Sequence, residues 1–238
     1  MTTEFIPDLK GVSLLICTPC GDGKYERKYL LSLVNTLNEL KRLGAKFSFA
    51  DLPYCSDIAL ARCKLLGTFY RSEHTHMMFV DSDMGWEPQD VVRLILMKED
   101  FIGAAGPKKK YPIEFAASMS DEYGNRLPVL QDDSIMVQVS EVGMAFMLFT
   151  RNCIERMIAG YPDLEFVGDK KQPEYALFDP IVCNGRRLSE DFAFCNRWRK
   201  IGGKVKLIPD IRMTHTGIHT FEGALIDTAH RIENDEKA

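Results

Sequence analysis

The sequence predicts an α/β fold with a mostly parallel central sheet flanked by helices and a small antiparallel section in its second half. Three observations carry this. Short apolar runs alternate with helical stretches through about residue 106, a βαβαβαβ order that makes a parallel sheet covered by helices. The runs are apolar enough to be strands buried in such a sheet. Hydrophobic residues make up 45% of the 238 and charged residues 27%, ordinary for a soluble globular chain. A chain of this length can bury about 70% of its unfolded surface, and one domain spanning residues 1–238 is expected.

The elements follow in order. Residues 12–18 form the first strand. A helix over 25–43 carries Leu30, Leu33, Val34, Leu37 and Leu40 at helical spacing, with Gly44 as its stop. Residues 46–52 form the second strand. A helix over 56–72 has Ser56 as N-cap and Ile58, Leu65 and Phe69 among its apolar positions. The third strand is 76–80, Pro88 opens a helix through Val91, Val92, Ile95 and Leu96, and the fourth strand is 101–105. Beyond it, 113–119 and 134–141 read as antiparallel strands around a turn at 122–125. An apolar strand at 143–149 precedes a helix at 151–159. Residues 161–187, with Pro162, Pro173 and Pro180, read as loop. A helix at 189–201, a strand at 204–208 and a charged, fraying tail beyond Thr228 complete the chain.

Composition excludes some functions. A net charge of −4 argues against a non-specific nucleic-acid binder, which needs a basic stripe. No apolar run is long enough to span a membrane, and the first ten residues, with Glu4 and Asp8, lack the order of a secretory signal. Seven cysteines, an odd number, several within strand and helix patterns, read as reduced buried thiols and a cytoplasmic location. Cys17 and Cys20 form a C-x-x-C, but a zinc site wants a second pair and none exists.

Three short motifs carry chemistry. Asp81-Ser82-Asp83 leaves the end of the third strand, where residues two apart point the same way. At a separation of about 6 Å and an effective dielectric of about 20, two carboxylates repel by about 3 kcal/mol, which a cation relieves. Oxygen ligands suit Mg²⁺ or Mn²⁺. The alternative is a solvated turn in which Asp83 caps the next segment. Ser189-Glu190-Asp191 opens a helix, where carboxylates are favoured by exposed N–H groups whatever their role. The functional alternative is a general base, Asp191 ahead of Glu190. His215, in Met213-Thr-His215, follows a strand and is either a satisfied structural histidine or a ligand for Mn²⁺ or Zn²⁺.

In order and spacing, these motifs and Gly143 in Glu141-Val-Gly143-Met-Ala145 resemble GT-A (Rossmann-like) glycosyltransferases. Leu60-Ala-Arg62 and the run from Thr75 to Asp83 are similar to compact bacterial and viral, family-2-like members. The resemblance spans residues 12–222 and implies a nucleotide-binding half at 12–106 and an acceptor and catalytic half at 107–222. It implies that Asp83 and His215 ligate Mn²⁺ or Mg²⁺, with Asp81 on the metal or the donor ribose and Ser82 between them at the donor. Thr18 and Pro19 would border the nucleotide, Asp51 would accept from base or ribose, and Arg62 would face the nucleotide or diphosphate. Gly143 and Met144 would let backbone approach donor sugar or acceptor, and Asp191 would be the base of an inverting displacement. The implied reaction moves a sugar from a UDP- or GDP-sugar to a glycan or other hydroxyl acceptor. The alternatives are a metal-dependent nucleotidyltransferase or phosphoesterase, and a non-catalytic binding module. The chain departs from the largest inverting family at Cys20-Gly-Asp-Gly-Lys24 and at Ala50-Asp51-Leu-Pro53, which lacks a D-D-G-S signature.

Four other features have readings of their own. Gly21-Asp-Gly23-Lys24 lacks phosphate-loop spacing and reads as a turn. Lys108-Lys-Lys110 reads as a solvated loop that could also attract an anionic ligand. His74 and His76 lie at the wrong end of their strand for the site. Trp86 either packs on a sugar or seals the core.

Overall fold

A computed structural model describes residues 6–120, 125–131, 134–169, 171–228 and 230–231. In chain order its first half runs β1 (Ser13–Cys20), α1 (Arg27–Arg42), β2 (Lys46–Pro53), α2 (Ile58–Tyr70), β3 (His76–Val80), β4 (Met84–Gly85), α3 (Pro88–Leu96) and β5 (Phe101–Gly103). The second half adds β6 (Ala117–Ser120), α4 (Arg151–Gly160), α5 (Glu190–Lys200) and further strands named by their residues.

The central sheet has seven strands in the order β2, β1, β3, Phe146–Thr150, β5, Val205–Leu207, Val137–Val139. All are parallel except Phe146–Thr150 and Val137–Val139, which run against their neighbours. The chain is therefore a Rossmann-like α/β fold, as its alternating pattern predicts. Both sheet faces are covered along β1 and β3, which explains their apolar runs, while the edge strand β2 is largely exposed. Leu15, Cys17, Met77 and Phe79 face a core shared with α2, α4 and α5. Leu14, Ile16, Met78 and Val80 face a second core shared with α1 and α3. Because β1 lies between β2 and β3, the direction of winding reverses at β1, the position where open α/β sheets bind ligands beyond their carboxyl ends.

Local chemistry sets the boundaries. Gly44, at φ +82°, ends α1. Asp57, not Ser56, caps α2, accepting from the N–H groups of Ala59 and Leu60 at 3.0 and 3.1 Å. The larger differences lie in the second half. Residues 113–119 and 134–141 meet as antiparallel neighbours at Ser118 and Glu141 but do not form one hairpin. β6 pairs with Glu141–Val142 and Arg126–Leu127, while Val137–Val139 crosses to the edge of the main sheet. The expected turn at 122–125 lies outside the described residues except for Asn125, as does most of the expected frayed tail. The stretch read as loop holds two hairpins, Glu165–Val167 with Pro173–Tyr175 and Ile181–Cys183 with Arg186–Leu188. Pro173 is tolerated because it is the first residue of its strand. Two strands near the C-terminus, Met213–Thr216 and Thr220–Gly223, pair with each other and, through Met213–Thr216, with β4. Among the described residues no helix is long and apolar enough to cross a membrane.

Candidate active site

The Asp81–Asp83 turn is held on several sides. Asp81 N–H donates to the Ala145 carbonyl at 3.1 Å, Met84 N–H to the Asp81 carbonyl at 3.1 Å, and Glu26 N–H to the Ser82 carbonyl at 3.0 Å. The Asp83 carbonyl accepts from Thr216 N–H at 2.9 Å. The pairing of β4 with Met213–Thr216 sets Met84 opposite His215 and Gly85 opposite Thr214. Gly85 is required by that closeness, since a Cβ there would stand 2.5 Å from Thr214 Oγ1 and 3.0 Å from Lys28 Cβ. The outcome is His215 Nε2 at 3.3 Å from Asp83 Oδ1, two residues far apart in sequence.

The protonation chemistry of this pair is constrained. His215 Nδ1 lies 2.7 Å from the Pro107 carbonyl. A carbonyl only accepts, so Nδ1 carries the hydrogen and Nε2 faces the carboxylate. Two lone pairs at that range need a positive charge between them, either a proton or a metal ion. Asp83 Oδ1 is buried with no hydrogen-bond partner among the described residues, while Oδ2 accepts from Lys109 Nζ at 2.5 Å. Burial pushes the Asp83 carboxyl up, but His215 and Lys109 outweigh it and hold it below its ordinary value. Burial pushes His215 down, and Asp83 more than reverses this, leaving the imidazole above its usual range.

The donor set fits a divalent ion. Ligating histidines commonly donate their other N–H to a carbonyl, as His215 does to Pro107. Two ligands about 2.1 Å from one octahedral ion and at right angles stand about 3.0 Å apart, close to the spacing found here. Among the described residues no three or more His, Cys, Asp or Glu side chains form a metal cluster, so remaining positions would fall to solvent or ligand oxygens.

Asp81 turns elsewhere. Its Oδ1 accepts from Arg62 Nη2 at 3.0 Å, and Arg62 Nε lies 3.9 Å from Glu190 Oε1. The guanidinium is 3% exposed, sits 5.1 Å over the Phe79 ring, and leaves Nε and Nη1 without hydrogen-bond partners among the described residues. One buried cation thus joins the end of β3 to the start of α5. Asp191 Oδ1 accepts from Ser189 Oγ and, at 2.8 Å, from Phe192 N–H. Its Oδ2 faces Gly143, where a Cβ would come within 3.5 Å of it and 3.2 Å of Ala116 Cβ. Burial raises both carboxyls of the pair, and the neighbouring Asp191 charge raises Glu190 further. A cleft of about 630 Å³, lined by Asp57, Asp179, Arg187, Ser189 and Glu190 among others, opens beside them. That size suits a small ligand.

The remaining residues divide. Thr18 and Pro19 are buried, and Thr18 Oγ1 meets Tyr29 Oη at 2.5 Å, so they offer the crevice backbone rather than side chains. Asp51 is exposed and accepts from Tyr25 Oη at 2.5 Å. Met144 is buried in the core. Trp86 also seals the core, its Nε1 donating to Thr36 Oγ1 at 2.9 Å. His74 and His76 bond Ser13 and Thr75 at 2.7 and 2.8 Å, as structural residues do. Gly23, at φ +72°, donates to the Cys20 carbonyl in a plain turn. Lys109 is the site contact that the sequence reading left in a solvated loop. Three consecutive lysines were its only signal, and they do not reveal which one folds back.

No family model matches the chain, and no curated protein matches it in sequence. Among solved structures it is similar to A197 from STIV, at 13% identity and a TM-score of 0.54 over 94% of this chain and 100% of that one. That likeness supports the fold. A putative glucose-1-phosphate thymidylyltransferase from Bacillus anthracis, in complex with a sucrose, matches at 10% identity and a TM-score of 0.32 over 61% of this chain and 74% of that one, too low to establish a shared fold.

Proposed function

We propose that the protein is a metal-dependent GT-A-type glycosyltransferase that moves a sugar from a UDP- or GDP-sugar to an acceptor hydroxyl, with inversion. The observation that carries this reading is Asp83 and His215 meeting beyond the carboxyl end of β3, next to the β1 crevice. Mn²⁺ or Mg²⁺ held by these two would neutralise charge on the departing diphosphate. Asp191 takes the proton of the acceptor hydroxyl as its oxygen attacks the anomeric carbon and the bond to the diphosphate breaks. Its raised proton affinity suits that task. Arg62 fixes Asp81 and Glu190 around it, and Gly143 leaves room beside Asp191 Oδ2. The halves at 12–106 and 107–222 act as one domain, because the central sheet takes strands from both. Seven free thiols suit the cytoplasm.

A panel of UDP- and GDP-sugars incubated with Mn²⁺ tests the reaction class. The expected product is nucleoside diphosphate, absent with chelator and in Asp83→Ala. Release of pyrophosphate instead would identify a nucleotidyltransferase and end this reading.

A further inference from the structure

The loop after β5 presents Lys108, Lys109 and Lys110 in succession, and their partners differ. Lys108 and Lys110 both pair with Glu114, at 3.2 and 2.5 Å. Lys109 alone crosses to Asp83 Oδ2, at 2.5 Å. Its route is built. The stem lies across Gly217, where a Cβ would meet Lys109 Cδ at 3.0 Å, Cε at 3.5 Å and Cγ at 3.7 Å. Gly217 is not in the left-handed region, so its backbone does not demand glycine. The missing side chain leaves room for the lysine. The loop itself is tied to the same site, since the Pro107 carbonyl bonds His215.

An ammonium and a divalent ion on one carboxylate repel each other, so they compete for Asp83. Once displaced, Lys109 is a partly exposed cation on a flexible stem beside the metal position. The anion within that site is the donor's diphosphate. We propose that Lys109 is a resident counter-ion, holding the Asp83–His215 pair before metal arrives and passing to the donor diphosphate once metal has bound. This rests on the glycosyltransferase reading of the site.

Calorimetric titration of Mn²⁺ alone, then of uridine or guanosine diphosphate in saturating Mn²⁺, tests it on wild type, Lys109→Met, Lys109→Arg, Gly217→Ala and Asp83→Ala. Lys109→Met should bind Mn²⁺ about threefold to tenfold more tightly and the preferred nucleotide about tenfold more weakly. Gly217→Ala, which makes the stem give by a few tenths of an ångström, should shift Mn²⁺ binding in the same direction by less than Lys109→Met does. Lys109→Arg should stay near wild type in both titrations. Mn²⁺ binding that Asp83→Ala abolishes but Lys109→Met leaves unchanged would overturn the exchange while sparing the metal site. No Mn²⁺ binding to either wild type or Lys109→Met would remove both.

Discussion

Burial and neighbouring charge move the proton affinities of individual site residues. Burial lifts Asp191 above the ordinary carboxylate value, so its base form is lost as pH falls through that raised pKa. The acid limb of kcat/KM should therefore lie above about pH 4, where a free aspartate titrates, and a pH–rate profile checks it. Asp191→Asn keeps the acceptor for Ser189 and Phe192 but removes the base, so transfer should fall by about 10²–10⁴-fold. The same change relieves a buried charge. A carboxyl with a raised folded pKa destabilises the fold at neutral pH, so Tm should rise by a few degrees, as about 1 kcal/mol does in a chain this size. His215 has the opposite sign. Its folded pKa is raised, so the metal-free ion pair contributes fully below about pH 6.5 and is lost as pH rises through the raised value. The Tm difference between wild type and His215→Gln should shrink over that window without metal. Addition of Mn²⁺ should restore it.

At the element scale, the strands and helices of the first half apart from β4 were legible because each has one dominant signal, whereas the two residues of β4 are too few to show one. β3 occupies the residues its apolar run marks, and Pro88 opens α3. Met213–Thr216 and Thr220–Gly223 were missed because each has only four residues: Met213–Thr216 buries just Met213, and the alternation of Thr220–Gly223 rests on Phe221 and a glycine. Val137–Val139 and Glu141–Val142 are neighbours in sequence but belong to different sheets, and no local pattern reports such a switch. Two substitutions act at this scale. Gly85→Ala should force β4 and Met213–Thr216 apart and weaken Mn²⁺ binding more than it lowers Tm, as titration and melting together would reveal. Trp86→Phe should strand the buried Thr36 hydroxyl, cost about 1–3 kcal/mol in denaturant unfolding, and leave nucleotide affinity unchanged. A loss of nucleotide affinity in that variant would return Trp86 to the sugar.

At the scale of the whole molecule, a sheet that reverses its winding at β1 gathers acids from separate motifs at its carboxyl ends. The motifs Asp81–Asp83, Glu190–Asp191 and His215 were visible in the sequence because carboxylates and imidazoles stand out after strands and at helix starts. The family resemblance grouped Asp81, Asp83 and His215, but Asp81's turn away to Arg62 was not visible. Asp81 goes to Arg62 and Asp83 to His215, a division set by the turn between β3 and β4. Lys109 stayed hidden because a long flexible side chain leaves no trace of its target in sequence. The proposed reaction depends on Asp83 and His215 sharing one ion. Electron spin-echo spectroscopy of the Mn²⁺-loaded protein addresses this most directly, since it reads nitrogen coupled to the metal. Wild type should show a ¹⁴N modulation that disappears in His215→Gln. Mn²⁺ bound with no nitrogen modulation, or a modulation that survives the substitution, would contradict a shared ion.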